Sequence, residues 1–309
     1  MTSTSSHKSS SEKSFAGKPH TTYWPCPAKL NLFLHFIGQR DDGYHLIQSY
    51  FQLLDFGDEL QISLDTSGEI HFSCDQEQLE TKDNLVIRAA HLLQQNLQNI
   101  QCESKYYGAH LHLIKRLPIG GGVGGGSSDC ASTLVALNHL WNTNFSVDEL
   151  ARLGESLGAD VPFFVRGHSA FVEGIGEQIT PYPIDDAYFL VIQPNCQIST
   201  SEIFSNPLLT RNTKAITIRD LKLMGLPFDG LNTIQSLVVE ENPEVKEALN
   251  WLKNHSSNAR MTGSGSCLFS SFDNLEDASK IAALCDPSWL TFVARGTQKS
   301  GLYSQIDRS

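Results

Sequence analysis

No stretch of this chain approaches the roughly 18 uninterrupted apolar residues that a membrane-spanning helix requires, so the expected protein does not cross a bilayer. It also lacks any C-x-x-C pair. The seven cysteines, at 26, 74, 102, 130, 196, 267 and 285, have no spacing that fits a structural zinc and read as reduced core residues. Their odd number, with no secretory apolar segment, places the chain in a reducing cytoplasm. Positive charge is scarce: 23 basic against 34 acidic residues leave −11, which argues against nucleic acid as the main partner. An anionic small ligand would need a local site of backbone N–H groups and a few lysines.

What is present is ordinary globular composition. The 309 residues are 40% hydrophobic and 18% charged, enough for one large domain or two of moderate size. Residues 1–14 hold seven serines and two threonines and predict a disordered tail, with folded sequence beginning near Tyr23. From Ala28 to Ile37 the pattern alternates, which predicts a half-buried strand with Lys29 and Asn31 on the face opposite Leu30, Leu32, Leu34 and Phe36. With a side-chain period of two, those two polar groups stand about 7 Å apart and can share a ligand. After a polar turn at Gly38–Gly43, extended runs at 46–54, 59–64 and 69–74 suggest an antiparallel sheet. Asp83 or Asn84 caps a helix whose stripe includes Leu85, Leu92 and Leu93.

A strand at 109–116 then runs through Pro118 into a glycine-rich segment and a helix ending near Leu140, and Ser146-x-x-Glu149 is a capping box opening a helix that Gly158 ends. Strands follow at 169–178 and 188–193, then one before Gly263-Ser264-Gly265, and others at 267–272 and 290–294. Helical segments fall at 200–206, 217–224, 229–240, 243–254 and 275–284. There is no internal repeat, and the irregular order of strands and helices favours an α+β fold over a doubly wound parallel sheet.

The segment from Gly120 to Asp129 carries the most chemistry. Six glycines in seven positions between a strand and a helix let consecutive N–H groups, and the helix end, converge on an anion. It is neither a Walker A loop nor a dinucleotide fingerprint, since no Gly-Lys-Ser/Thr closes it and the G-x-G-x-x-G context is missing. Lys115 is either a point charge for that anion or an exposed strand-end lysine. Asp160, between Gly158 and Pro162, is either a general base or an N-cap. By default Lys29 and Asn31 form a solvent face, Tyr44 and His45 a surface pair, and Phe204 a core residue.

Taken together, Pro27-Ala28-Lys29-Leu30-Asn31-Leu32, Leu117-Pro118 to Ser127-Ser128, and Ala259-Arg260-Met261-Thr262-Gly263-Ser264-Gly265 resemble the three motifs of the GHMP small-molecule kinases in order and separation. Gly38-Gln39-Arg40, Asp42-Gly43-Tyr44-His45 and Leu157-Gly158-Ala159-Asp160-Val161-Pro162 are similar to the members that act on a cytidine-diphosphate-linked methylerythritol. The resemblance covers roughly residues 23–300. It implies an amino-terminal domain like the second domain of ribosomal S5, over 21–175 after a tail at 1–20, and a ferredoxin-like substrate domain over 176–309. The reaction implied is transfer of the ATP γ-phosphoryl to a tertiary 2-hydroxyl in isoprenoid precursor synthesis. Homoserine or mevalonate kinases and a non-catalytic nucleotide-binding relative are the rivals.

By that resemblance Asp160 is the base, with Lys29 supporting it. Asn84, Lys115, Pro118, Gly120, Gly121, Gly122, Gly124, Gly125, Gly126, Ser127 and Ser128 hold ATP. Asn31 and Thr200 orient the substrate, Tyr44 and Phe204 stack on cytosine, and His45 reads its edge. Mg²⁺ accompanies ATP without an assigned ligand, Ser128 being the candidate by analogy. The partner is a small molecule, with no nucleic acid or membrane, and the chain is a monomer or weak homodimer. Asp129 departs from the pattern, since such kinases more often carry Asn or Ala there. A carboxylate at that point favours the helix end but repels a triphosphate.

Overall fold

The computed structural model describes residues 21–99, 107–224 and 230–306. The predicted tail, Cys102 and the start of the predicted helix at 229 lie outside them.

Two long strands, β1 (Thr21–Gln39) and β2 (His45–Asp65), pair as an antiparallel hairpin. The predicted runs at 46–54 and 59–64 are one strand. The Asp55-Phe56-Gly57-Asp58 segment reads as a turn, but Gly57 continues the ladder where a Cβ would stand only 2.0 Å from the Cys26 carbonyl oxygen. β1 is also not half-buried: Lys29, Asn31, Phe33 and His35 are all buried, as are Leu30, Leu32, Leu34 and Phe36. Layers cover the strand on both faces, so its alternation separates two buried environments rather than core from water.

β3 (Ile70–Cys74), α1 (Leu85–Asn99) and β4 (Gly108–Ile114) correct the all-antiparallel expectation, because β3 and β4 pair in parallel. Parallel neighbours need a crossover, and α1 supplies it. Asn84 caps α1 through its Oδ1, which accepts from the Val86 N–H at 2.9 Å. α2 (Gly125–Leu140) and α3 (Val147–Glu155) follow, the latter with the Ser146/Glu149 capping box in place. A short helix, α4 (Val161–Arg166), is the turn that the N-cap reading of Asp160 implies, with Pro162 in its first turn, where proline is tolerated.

The predicted strand at 169–178 is two, β5 (Ala170–Gly174) and β6 (Gln178–Pro181), separated by a turn with Gly174 and Gly176 at positive φ. Then come β7 (Tyr188–Gln193), α5 (Thr200–Ser205), α6 (Ile218–Met224), α7 (Gln235–Glu241) and α8 (Pro243–His255). The chain closes with β8 (Arg260–Met261), β9 (Leu268–Phe272), α9 (Leu275–Ala282), β10 (Leu290–Thr297) and α10 (Gly301–Ile306). Strand order is β3-β4-β2-β10-β7-β9-β8, with β1 and β5 also paired to β2. β10 joins the halves: its body pairs with β7, while Gly296 and Thr297 pair with Leu54 and Leu53 of β2.

Three apolar clusters fill the layers. The first packs Trp24, Leu60, Leu93, Leu134 and Phe163 between the amino-terminal sheet and its helices. The third packs Ile192, Ile234, Leu249 and Leu268 in the carboxy-terminal half. The second joins them, setting Leu30 and Leu32 of β1 beside Phe189 of β7 and Phe269 of β9. Leu302 on α10 belongs to the first cluster, so the chain returns to the amino-terminal half after crossing the other. Because Leu302 is 1% exposed, Leu302→Ala is expected to lower stability by about 2–5 kcal/mol. A urea denaturation midpoint equal to wild type would contradict that packing.

Candidate active site

β1 delivers Lys29 and Asn31 from a short regular stretch between two register shifts, one at Pro27/Lys29 and one at Asn31/Leu34. Such bulges re-aim side chains while leaving the strand anchored. The Lys29 ammonium donates to Asn31 Oδ1 at 2.7 Å, lies 3.2 Å from Asp160 Oδ2, and sits 4.4 Å from the centre of the Phe51 ring. Asn31 is itself fixed: its Nδ2 donates to Ser49 Oγ at 2.9 Å, and its backbone N–H donates to Thr262 Oγ1 at 2.9 Å. Asp160 immediately precedes α4, yet its side chain makes no capping bond there. Of the two readings open in the sequence, capping is not the use made of it. Lys29 is almost wholly buried, whereas the Asp160 side chain is 30% exposed and reaches open space.

The glycine segment lies directly above. Gly120, Gly122 and Gly124 have positive φ. At two of them a side chain is also sterically refused: a Cβ on Gly122 would stand 2.6 Å from the Thr262 carbonyl oxygen, and one on Gly124 2.8 Å from the Phe164 ring. The Lys29 N–H donates to the Val123 carbonyl at 2.9 Å, tying the loop to β1. α2 begins at Gly125, so the N–H groups of Gly125, Gly126 and Ser127 fall in a first turn that has no intrahelical acceptors. A cavity of about 480 Å³ opens here, lined by Asn84, Lys115, Pro118, all the glycines from Gly120 to Gly126, Ser127 and Asp129.

Ser128 is absent from that lining. It is fully buried, and its Oγ has no hydrogen-bond partner. The Asn84 side-chain amide is occupied by the cap and by a 3.0 Å bond from Nδ2 to the Leu79 carbonyl.

Lys115 is neither an exposed strand end nor a free point charge. Its ammonium is buried between Asp58 Oδ2 at 2.5 Å and Asp129 Oδ2 at 2.8 Å. This corrects the expectation for Asp129, whose carboxylate turns inward to Lys115 and does not stand free before an anion. Burial pulls the Lys115 pKa down, but the charges of Asp129 and Asp58 outweigh it and hold the group above its ordinary value. Burial pushes Asp129 up, the Lys115 charge opposes this and Asp58 adds to it, leaving the carboxyl at about 7.

A larger cavity of about 880 Å³ lies on the other side of the loop. It is lined by Lys29, Asn31, Tyr44, His45, Asp160, Thr200, Phe204 and Ser264 among others. Gly120, Gly122, Gly124 and Ser127 line both cavities, so the loop is their common wall. Thr200 and Ser264 hydroxyls meet at 2.7 Å across the carboxy-terminal rim. The His45 ring lies 5.2 Å from Phe36 and 5.6 Å from Phe204, while Tyr44 is exposed at the mouth.

Arg211, for which the sequence carries no motif or period, organises this end. Its Nε donates to His45 Nε2 at 2.9 Å, and its terminal nitrogens donate to the carbonyls of Phe204, Asn206 and Leu209. An arginine only donates, so His45 Nε2 is the acceptor and its proton sits on Nδ1. Burial and the Arg211 charge both lower the His45 pKa, keeping that tautomer neutral. Ser49 and Phe36 were likewise not expected as supports, because each reads from sequence as ordinary strand filling, and Thr262, though inside the third motif, was given no role of its own.

The chain matches the models for the GHMP kinases N terminal domain over residues 84–168 and GHMP kinases C terminal over residues 213–285. It is 46% identical over 282 residues, 91% of its length, to a 4-diphosphocytidyl-2-C-methyl-D-erythritol kinase of Pseudomonas syringae pv. syringae (strain B728a), covering 96% of that relative. A relative of the same name from Pseudomonas aeruginosa (strain UCBPP-PA14) is 46% identical over 92% of this chain and 96% of its own. The crystal structure of a 4-(cytidine 5'-diphospho)-2C-methyl-D-erythritol kinase superposes with a TM-score of 0.76 at 26% identity, over 89% of this chain and 99% of that one. Homoserine kinase from Cytophaga hutchinsonii shares the fold, with a TM-score of 0.63 at 17% identity over 94% and 98% of the two chains. Two cavities parted by a glycine loop in this fold define a small-molecule kinase, and the chain belongs to the GHMP kinases. Within them it belongs to the family of 4-diphosphocytidyl-2-C-methyl-D-erythritol kinases.

The Asp129 carboxyl, raised in the fold above its unfolded value of about 3.9, contributes a stability that is present in acid and lost as pH climbs toward about 7. Asp129→Asn removes that loss. Its stability relative to wild type should therefore grow across this window, as measured by chemical denaturation at a series of pH values. A difference that stays flat or shrinks with rising pH would show that the Lys115 charge offsets burial at Asp129.

Proposed function

We propose that the chain transfers the ATP γ-phosphoryl to the 2-hydroxyl of 4-diphosphocytidyl-2-C-methyl-D-erythritol, a step of isoprenoid precursor synthesis by the non-mevalonate route. The observation that carries this is the common wall: the glycine loop faces both cavities, with the Lys29–Asp160 pair on the larger one beside it. ATP occupies the smaller cavity and supplies the phosphoryl group. The first-turn N–H groups of α2 and the loop receive its phosphates. The glycines fit that task, since any Cβ at 122 or 124 would collide with the surrounding structure. Mg²⁺ fits as a companion of the triphosphate. Such an ion keeps several waters and is held by substrate phosphates with one or two protein oxygens, so it asks for no dedicated cage of side chains.

The acceptor alcohol is a poor nucleophile until its proton has somewhere to go, and Asp160 takes it. Lys29, held by Asn31 and the carboxylate together, keeps Asp160 oriented and stabilises the negative charge developing on the alcohol oxygen. The aromatic end of the larger cavity receives the cytosine. Tyr44 and Phe204 offer ring faces, each contact contributing about 1–3 kcal/mol, and His45 Nδ1 donates to the base edge. Homoserine or mevalonate as acceptor would leave that aromatic end without a partner. The reading keeps the division into an ATP-binding unit at 21–175 and a substrate unit at 176–309, with α10 packed on the former. It also keeps a monomer or weak homodimer in the cytoplasm, in accord with the six described cysteines being free.

Incubation with ATP and the diphosphocytidyl substrate, followed by phosphorus NMR, should reveal a new monophosphate ester. Asp160→Asn is expected to lower kcat by roughly 10²–10⁴-fold with ATP binding little changed, and undiminished turnover would remove the base assignment. Arg211→Ala should raise KM for the cytidine substrate about tenfold or more through loss of a charged hydrogen bond, leaving kcat and the KM for ATP near wild type. If only the ATP KM moved, the two nucleotide pockets would have to be exchanged.

A further inference from the structure

Away from both cavities, the sheet formed by β2, β4 and β3 carries imidazoles and carboxylates that the kinase reaction does not use. His71 of β3 and His110 of β4 are register partners, and their rings stack with centroids 4.5 Å apart and planes 14° from parallel. Asp65, at the end of β2, places Oδ2 3.0 Å from His110 Nε2, and Glu69 places Oε2 3.4 Å from His71 Nε2. One potential ligand atom from each of Asp65, His71 and His110 lies within 4.8 Å of the other two.

The carboxylate is set before any ligand arrives. Asp65 Oδ1 accepts from the backbone N–H of Ser67 at 2.7 Å and from its hydroxyl, which leaves Oδ2 turned to the imidazoles. Gly108 makes this possible, because a Cβ there would stand 2.1 Å from Oδ1. One oxygen anchored by hydrogen bonds and the other facing the imidazoles is the support that metal-binding carboxylates commonly have.

Two stacked imidazoles repel when both are protonated, whereas both neutral rings can direct a lone pair at one cation. Two imidazole nitrogens and one carboxylate oxygen suit a first-row divalent ion and not Mg²⁺ or Ca²⁺, which prefer all-oxygen sets. Zinc bonds of about 2.0–2.2 Å require the ligand atoms to draw closer than they now stand. The two histidine side chains, 49% and 60% exposed, are free to rotate to that extent. Water or Glu69 completes the fourth position.

We propose that Asp65, His71 and His110 form a binding site for a Zn²⁺-class cation that ties the edge strand β3 and its neighbour β4 to β2. The test uses the full chain without a polyhistidine tag, with Zn²⁺ alone as the titrant in calorimetry and Mg²⁺ as the contrast. About one Zn²⁺ per chain is expected to bind, with no corresponding Mg²⁺ signal. His71→Ala and His110→Ala should each weaken zinc roughly tenfold or more, as should Asp65→Asn, which preserves the side-chain shape. Zinc should raise Tm in the wild type and not in the His71→Ala/His110→Ala double variant, and kinase activity with Mg²⁺ and ATP should match wild type in the single histidine variants. Absence of zinc binding, or zinc affinity unchanged in the double variant, overturns the site; the second result would assign the metal to other residues.

Discussion

An ammonium group withdrawn from water is tolerated only among oxygen atoms, and breaking such a buried pair costs far more than forming it contributes. Lys29 is in that position. Its ammonium meets three parts of the chain, Asn31 on its own strand, Phe51 on β2 and Asp160 ahead of α4, while its backbone N–H holds the Val123 carbonyl of the glycine loop. Asn31 is held by Ser49 and by Thr262, which reaches from the carboxy-terminal half. The charge fixes strand against helix, and the backbone N–H groups of Lys29 and Asn31 bring the loop and the carboxy-terminal half to the same point. The Asp160 carboxylate inherits its placement from that requirement.

The second buried lysine shows how the same ingredients give another result. Lys115 has two carboxylates, both nearly sealed from solvent, where Lys29 has one that opens onto a cavity. With Lys115 and Asp129 on the wall of the smaller cavity, that trio ties β2 and the segment after β4 to the first turns of α2. A half-open pair can trade its proton with a neighbour. Exposure of the carboxylate, more than charge count, separates the two.

Much of this was legible in the sequence because the informative features are local. The glycine run between strand and helix, the Ser146/Glu149 box and the Lys29/Asn31 spacing each declare themselves within a few residues. What could not be read depended on distant partners. Alternation in β1 pointed to water on one face, when a glycine loop and a second domain cover it. Asp129 looked like a charge facing a phosphate because its partners, Lys115 and Asp58, lie 14 and 71 residues away in sequence. Arg211 sits in a segment without periodicity, and only folding brings its guanidinium to His45. The parallel pairing of β3 with β4 was hidden because a short strand has the same pattern whichever way its neighbour runs.

The return of α10 to the first cluster bears on how the molecule is made. Leu302 fills a place among residues that include Trp24 and Leu134, so that layer stays open until residue 302 has left the ribosome. The amino-terminal half emerges first, yet it must wait through the synthesis of the whole intervening half with an unfilled socket. Completion of the amino-terminal core thus depends on a residue made after the whole intervening half, and the glycine-loop cavity built on that core gains a support that its own half does not encode.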